Sequence, residues 1–246
     1  MTMAGKNIKK GMNTNSNTYI IIYSIILVLI VAFVMAFVSQ TLKPMQDVNV
    51  ALDKKKQILA ALNIRDLDDE ASASKYAEVV VADEVLSSDG KVVEQGTKGG
   101  EKAGFVLNSA DYKAGRLALF VCSIDGQTKY VVPVYGMGLW GPIWGYVAID
   151  ADKNTVYGAY FNHESETAGL GAEIKDSRTW QEQFRGKKIF SEEDDNVSLS
   201  VVKKNNVKNP ASECDAITGA TLTSVGVSDM LQEGLEAYKA FLKTKD

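Results

Sequence analysis

The sequence predicts an α+β protein with a single N-terminal transmembrane helix, followed by one domain whose sheet is mostly antiparallel. Three features predict this class. Residues 19–38 contain no charged side chain, and several runs after residue 116 are rich in β-branched and aromatic residues. The carboxy-terminal segment repeats apolar residues at helical spacing, so helices and strands occur in the same domain.

The composition excludes several classes of protein. The chain has 246 residues, of which 46% are hydrophobic, so it can bury a sizeable core. A net charge of -4 argues against a nucleic-acid partner, because phosphate binding needs a basic face. One histidine and two cysteines supply too few ligands for a zinc site, and nothing in the sequence pairs the cysteines. We therefore expect no metal site and no disulfide.

The apolar segment 19–38 is long enough to cross a membrane, since about 20 helical residues span a hydrocarbon core. A cleaved signal peptide is the alternative, but its apolar core is shorter and no small-residue cleavage site follows this segment. Lysines at positions 6, 9 and 10 favour a cytoplasmic location for residues 1–18. The remainder of the chain is then expected across a bacterial inner membrane, in the periplasm.

Residues 39–65 are predicted to form a connecting helix, because Val48, Leu52, Leu59 and Leu62 recur near helical spacing. Residues 66–246 then form the periplasmic domain. Within it, residues 66–104 have a low density of apolar side chains, which predicts loops around one short strand at 78–85.

Two hairpins are predicted after residue 116. The runs LALFVCSI and KYVVPVYG flank Asp125 and Gly126, a pair suited to a tight turn, and WGYVAID and VYGAYFN flank residues 152–154. The run VSLSVVKK, from Val197, adds a later strand, which gives a sheet of about five or six strands. The acidic segment 191–196 is expected to be a solvated loop.

Two helices are predicted in the second half of the domain. The first contains SRTWQEQF near Trp180, and the second closes the chain from about Ser224 to Lys243. The closing helix has one apolar stripe that we expect to pack on the sheet: Val227, Met230, Leu231, Leu235, Tyr238, Phe241 and Leu242.

A cluster of hydroxyl groups stands immediately before this closing helix, in the segment Asp215 to Ser224. The N-terminus of a helix offers free N–H groups and a partial positive charge, so it can bind a phosphate group without a basic side chain. Serine and threonine are also the preferred capping residues of a helix. The spacing alone leaves both interpretations open.

The segment TGATLTS resembles the flavinylation signature of the covalent FMN-binding domain family, [ST]-G-A-T-x-T. In that family the last threonine carries FMN, and that threonine is Thr223 here. The resemblance implies a phosphoester that a dedicated flavin transferase makes from FAD. It also assigns the neighbouring signature positions to the site: Asp215, Thr218, Gly219, Ala220 and Thr221.

Two further segments are similar to the C-subunit family of the Na+-translocating NADH:quinone oxidoreductases. The block GMGLWGPIWGY at 136–146 contributes Leu139 and Trp140. The block ETAGLG at 166–171 resembles the family pattern E-T-P-G-L-G and contributes Glu166, Thr167, Gly169, Leu170 and Gly171. Ala168 replaces the family's proline, and His163 is displaced by one residue from the family pattern, so no role is assigned to it.

This resemblance implies an electron-carrying subunit of a sodium-pumping NADH:ubiquinone reductase, with no complete active site and no catalytic residue of its own. FMN, covalently bound, would be the cofactor. The implied partners are the other subunits of the complex, the flavin transferase during maturation, and membrane lipid.

Two other functions are compatible with parts of the sequence. The G subunit of an Rnf-type ferredoxin:NAD oxidoreductase shares the threonine signature, the anchor and the glutamate block, whereas the Leu139-Trp140 block favours the C-subunit family. A membrane-anchored, non-redox binding module would use the threonines only to cap a helix. A redox role for Cys214 is disfavoured by its spacing from Thr223.

Overall fold

A computed structural model of the chain describes residue 14 and residues 16–191 and 195–244. Most of the predicted cytoplasmic segment 1–18, and part of the predicted acidic loop 191–196, therefore lie outside the described residues. The chain divides into two compact units, Met1–Ala51 and Leu52–Asp246.

The first unit consists mainly of the long helix α1, Asn17–Ala61, whose last residues belong to the second unit. Large apolar side chains are exposed throughout the segment predicted to span the membrane, and the most apolar window of α1 has a mean hydropathy of 3.1. By length and composition, α1 is the one candidate membrane span among the described residues. The predicted connecting helix is a continuation of α1, which contains Pro44, and it ends at Ala61 rather than residue 65.

The second unit is built on a six-stranded antiparallel sheet, which confirms the predicted α+β class. The spatial order is β2-β1-β3-β4-β5-β6. Its strands are β1 Val80–Leu86, β2 Val92–Glu94, β3 Leu117–Ile124, β4 Gln127–Met137, β5 Pro142–Asp150 and β6 Val156–His163.

Both predicted hairpins are present. Asp125 and Gly126 join β3 to β4 with φ values of 50° and 77°, the conformation that this dipeptide favours. Residues 151–155 join β5 to β6, and Lys153 has a φ of 56°. The β4–β5 hairpin carries the sequence block 136–146, and the block 166–171 lies in the loop after β6.

The prediction of loops for residues 66–104 is wrong at its start. Residues Asp69–Val79 form helix α2, whose N-cap Asp68 accepts a hydrogen bond from the N–H of Ala71. Tyr76 and Val79 are buried, so these two side chains attach the helix to the domain despite its low apolar content. A 3-10 turn, Gly104–Val106, and helix α3, Ser109–Lys113, follow β2.

The strand predicted from Val197 does not join the main sheet. It is reduced to β7, Ser200–Val202, which pairs in parallel with β8, Glu213–Asp215, in a separate two-stranded sheet. The start of β6 is already covered, because residues 186–188 exchange backbone hydrogen bonds with Val156 and form a bridge with Thr155. That edge is therefore not available to β7.

Four helices complete the second unit: α4 Glu173–Asp176, α5 Arg178–Glu182, α6 Thr221–Ala237 and α7 Lys239–Leu242. Helix α5 confirms the helix predicted near Trp180, with Ser177 as its N-cap. The predicted closing helix is present as α6 and α7, but it begins three residues earlier than Ser224. The Ser224 hydroxyl accepts a hydrogen bond from the N–H of Ile217, so this serine stabilises the preceding turn from inside the helix.

The core lies between the main sheet and α6. Val227, Met230, Leu231 and Leu235 of the predicted stripe are buried, which confirms that α6 packs on the sheet. A side chain at Gly234 would lie 2.6 Å from Cγ1 of Val134 in β4, so this glycine permits the close approach of helix and sheet. This packing fixes the position of the first turn of α6.

Candidate functional site

The site is a cavity of about 210 Å³ beside the first turn of α6. Three segments meet there: the β4–β5 turn, the loop that follows β6, and the turn that enters α6. The residues that line the cavity are Leu139, Trp140, Glu166, Thr167, Leu170, Gly171, Gly219, Ala220, Thr221, Leu222 and Thr223. Most of the residues predicted from the sequence blocks are therefore close together, although the blocks are far apart in the chain.

A hydrogen bond between two buried side chains lies at the bottom of this site. The Thr223 hydroxyl donates to Glu166 Oε2 over 2.6 Å, and Thr223 and Glu166 are 1% and 7% exposed. The backbone N–H of Trp140 donates to the other carboxylate oxygen of Glu166, Oε1, over 2.8 Å. Both oxygens thus have a donor, which is the condition under which a buried carboxylate is tolerated.

Two glycines make room for this carboxylate. A Cβ atom at Gly138 would lie 2.5 Å from Glu166 Oε1, and one at Gly171 would lie 2.6 Å from the Thr223 hydroxyl oxygen. Any larger residue at either position would displace the pair of side chains. Gly219, with a φ of 81°, turns the chain into α6 in a conformation that other residues rarely adopt.

The first turn of α6 has no side-chain cap. Its N-cap residue is Ala220, whose methyl group makes no hydrogen bond to the helix. The first N–H groups of a helix have no acceptor within the helix and carry a partial positive charge, and residues 219–223 at this end of α6 line the cavity. Thr221 is exposed in this turn, whereas Thr223 is buried. This end of the helix offers an anion-binding position directly beside a hydroxyl group.

Exposed apolar side chains surround the mouth of the cavity. Leu139, Trp140, Leu170 and Leu222 are between 42% and 66% exposed. The cavity is smaller than pockets that enclose a drug-sized ligand, which hold about 300 Å³ or more. The arrangement fits a ligand with an anionic group in the cavity and a flat apolar ring on the open rim. The phosphate and the isoalloxazine ring of FMN meet this description.

Comparison with known proteins agrees with this geometry. Residues 138–236 match the model of the FMN-binding domain. The C subunit of the Na(+)-translocating NADH-quinone reductase from Haemophilus ducreyi is 33% identical over 203 residues, covering 76% of this chain and 77% of the relative. The chain belongs to the C-subunit family of the Na(+)-translocating NADH-quinone reductases.

Solved structures of this family share the fold of the chain. The crystal structure of the C subunit from Parabacteroides distasonis has a TM-score of 0.76 and 35% identity, covering 83% of this chain and 98% of that one. The structure of Shewanella oneidensis NqrC has a TM-score of 0.62 and 26% identity, covering 78% and 96%. The resemblance found in the sequence blocks is thereby confirmed for the family and for its FMN-binding domain.

Three of the predicted site residues lie outside the cavity lining. Asp215 ends β8, and its side chain accepts a hydrogen bond from the N–H of Asn205. The Thr218 hydroxyl accepts one from Lys204 Nζ over 3.1 Å. Gly169 has a φ of 72°, and no atom lies within 4 Å of the position that a Cβ would take there. These residues shape the loops around the site.

Sequence reasoning missed three contributors to the site. Leu222 lines the cavity although it occupies the variable position of the threonine signature. Gly138 lies within the block at 136–146, but nothing in the sequence indicated its proximity to Glu166. His163 is hydrogen-bonded, since its Nδ1 accepts from the N–H of Glu166 over 3.1 Å, and it thereby helps to fix the loop that carries Glu166.

Proposed function

We propose that this chain is an electron-carrying subunit of a Na+-translocating NADH:quinone reductase, with FMN esterified through its phosphate to Thr223. The observation that supports this most directly is the Thr223 hydroxyl beside the uncapped first turn of α6, inside a domain of the FMN-binding family. Relatives that are named as the C subunit of this reductase support the assignment to this complex rather than to an Rnf-type one.

Each part of the site has a separate task in this proposal. Bound FMN supplies the redox chemistry, which the protein tunes and positions. The N–H groups at the start of α6 stabilise the phosphate charge. Leu139, Trp140 and Leu170 are the exposed apolar side chains at the rim that would hold the ring. Electrons enter and leave through other subunits of the complex.

The proposed topology follows from the same assignment. Residues 1–18 are cytoplasmic, residues 19–38 cross the inner membrane in contact with lipid, and residues 39–65 lead to the domain at 66–246. This domain lies in the periplasm, where a flavin transferase attaches FMN taken from FAD. The lysines before the apolar segment support this orientation.

The attachment is tested by expressing the full chain with a flavin transferase. We expect a mass increase of one esterified FMN on the peptide that contains Thr223, and a fluorescent band after denaturing electrophoresis. Thr223→Ala should abolish both signals because the acceptor oxygen is removed. Thr221→Ala is the matched control in the same turn, and it should retain at least part of the signal.

Two outcomes would contradict the proposal. Fluorescence that persists in Thr223→Ala would move the attachment to another residue. A colourless wild-type protein, matured in its native host, would instead favour a non-redox module whose threonines stabilise a helix terminus.

A further inference from the structure

We propose that Glu166 is the base that removes the hydroxyl proton of Thr223 while FMN is attached. The inference rests on the proposed attachment at Thr223, and it gives this chain an active part in its own modification. Its structural basis is the 2.6 Å hydrogen bond from Thr223 Oγ1 to Glu166 Oε2.

The geometry suits proton transfer. Among the described residues that line the cavity, Glu166 is the one with an ionisable side chain. The N–H of Trp140 holds its other oxygen, so Oε2 remains directed at the hydroxyl. The nearby imidazole of His163 accepts a hydrogen bond from the backbone N–H of Glu166, which leaves the carboxylate as the acceptor of the Thr223 proton.

The chemistry needs such a base. A threonine hydroxyl is almost fully protonated at neutral pH and is a weak nucleophile until a neighbouring group accepts its proton. A base within about 2.6–3.2 Å of that proton meets the geometric requirement, and such catalysis typically contributes a factor of about 100 to 10,000. Both side chains line the cavity, so the cavity is the route by which a phosphate group would reach the oxygen.

Atoms and charges balance in this step. The Thr223 oxygen forms a bond to the flavin-side phosphorus of FAD, and the bond from that phosphorus to the oxygen bridging the two phosphates breaks. AMP leaves with the electron pair of the broken bond, and the hydroxyl proton moves to Glu166 Oε2. No electron is gained or lost by the flavin. Transfer of the proton to Glu166 also removes the negative charge that would otherwise stand beside the new phosphate.

The test measures the rate of FMN attachment to the purified full-length chain in detergent, with a flavin transferase and FAD, by intact mass. Glu166→Gln keeps the shape of the side chain, and its one amide oxygen can still accept from the N–H of Trp140 while its NH2 group donates to the Thr223 oxygen, but it cannot accept the proton. We expect the maximal rate to fall about 100-fold or more, with little change in the chain concentration that gives half-maximal rate. Glu166→Asp, which retains a carboxylate, should recover part of the rate.

Glu164→Gln is the matched control, because Glu164 is exposed in the same loop and its substitution removes the same charge. Thermal unfolding of each apo variant shows whether it is folded. A Glu166→Gln chain that is folded and modified at the wild-type rate would overturn the inference. So would an Asp variant no faster than the Gln variant. If wild type itself gains no FMN on Thr223, the proposed function fails instead, which separates the two conclusions.

Discussion

Two buried thiols in this domain are kept in the protonated state by their surroundings. Cys122 lies in β3 and Cys214 in β8, and each is 1% exposed. Burial raises the pKa of both thiols to about 12. Since the thiolate is the reactive form, these cysteines should be chemically inert in the folded chain.

We expect iodoacetamide at pH 8 to modify both cysteines at least about 1,000-fold more slowly in the folded chain than in guanidinium chloride, because the raised pKa reduces the thiolate fraction about tenfold per unit. The measurement is intact mass against time. A raised thiol pKa stabilises the folded state below the ordinary thiol pKa, and this contribution is lost as pH rises toward 12. Rapid labelling of Cys214 in the folded chain would contradict this and would reopen a redox role for it.

At the scale of elements, the position of α6 depends on small residues at its contact with β4. Gly234 faces Val134, and Gly136 of β4 faces Met230. A methyl group at either glycine would overlap the opposite side chain. Because the first turn of α6 carries Thr223, a shift of the helix also moves the candidate attachment oxygen relative to Glu166.

Gly234→Ala should lower the free energy of unfolding by about 1–2 kcal/mol, because overpacking against the stiff side chain of Val134 outweighs the better helix propensity of alanine. Chemical denaturation of the full chain in detergent measures the change. Gln232→Ala, at an exposed position two residues earlier, should change it by no more than about 0.5 kcal/mol. In a Val134→Ala background the cost of Gly234→Ala should shrink, and a Gly234→Ala chain as stable as wild type would refute the packing argument.

Elements with a local signal could be predicted from the sequence, and those that depend on distant partners could not. The β3–β4 hairpin is encoded by two apolar runs and by the Asp125-Gly126 turn. Helix α2 has few apolar residues. The main sequence feature that indicates a helix there is the N-cap Asp68, followed by acidic residues in the first turn. Strand β7 is excluded from the main sheet because residues 186–188 cover the edge of β6. The sequence around β7 gives no sign of this distant contact.

The same distinction applies to the site. The threonine signature and the two other blocks identified most of the residues that line the cavity, because each block is contiguous in the chain. The direct hydrogen bond between Glu166 and Thr223 joins residues that are far apart in sequence, so only the folded structure reveals it. Asp215 is predicted to belong to the site from its place beside the threonine signature, but its side chain instead accepts a hydrogen bond from the N–H of Asn205 in a neighbouring loop.

At the scale of the whole molecule, the chain combines a candidate membrane helix with a second compact unit, Leu52–Asp246, which contains the domain proposed at 66–246. The end of α1 belongs to this domain: Ile58 and Leu59 are buried, and Trp144 Nε1 donates to Gln57 Oε1 over 2.9 Å. The part of α1 from Leu52 to Ala61 is therefore packed into the core of the second unit.

A reporter fused to the carboxy terminus tests the proposed topology. We expect alkaline phosphatase, which matures in an oxidising compartment, to be active at this position, because the lysines before α1 favour a cytoplasmic amino terminus. A fusion to residue 16, before the apolar segment, is the control and should be inactive. Activity of a carboxy-terminal reporter that works only in the cytoplasm would reverse the orientation.

The place of α6 in the chain also sets the order of events during biosynthesis. A polypeptide is made and exported from its amino terminus, so β4, β5 and the Glu166 loop emerge before the first turn of α6 exists. Glu166 meets its hydroxyl only after residue 223 has been made and α6 has docked on β4. If Glu166 is the base for attachment, a chain that carries FMN has therefore already docked α6 on the sheet, and the yellow colour reports on this packing.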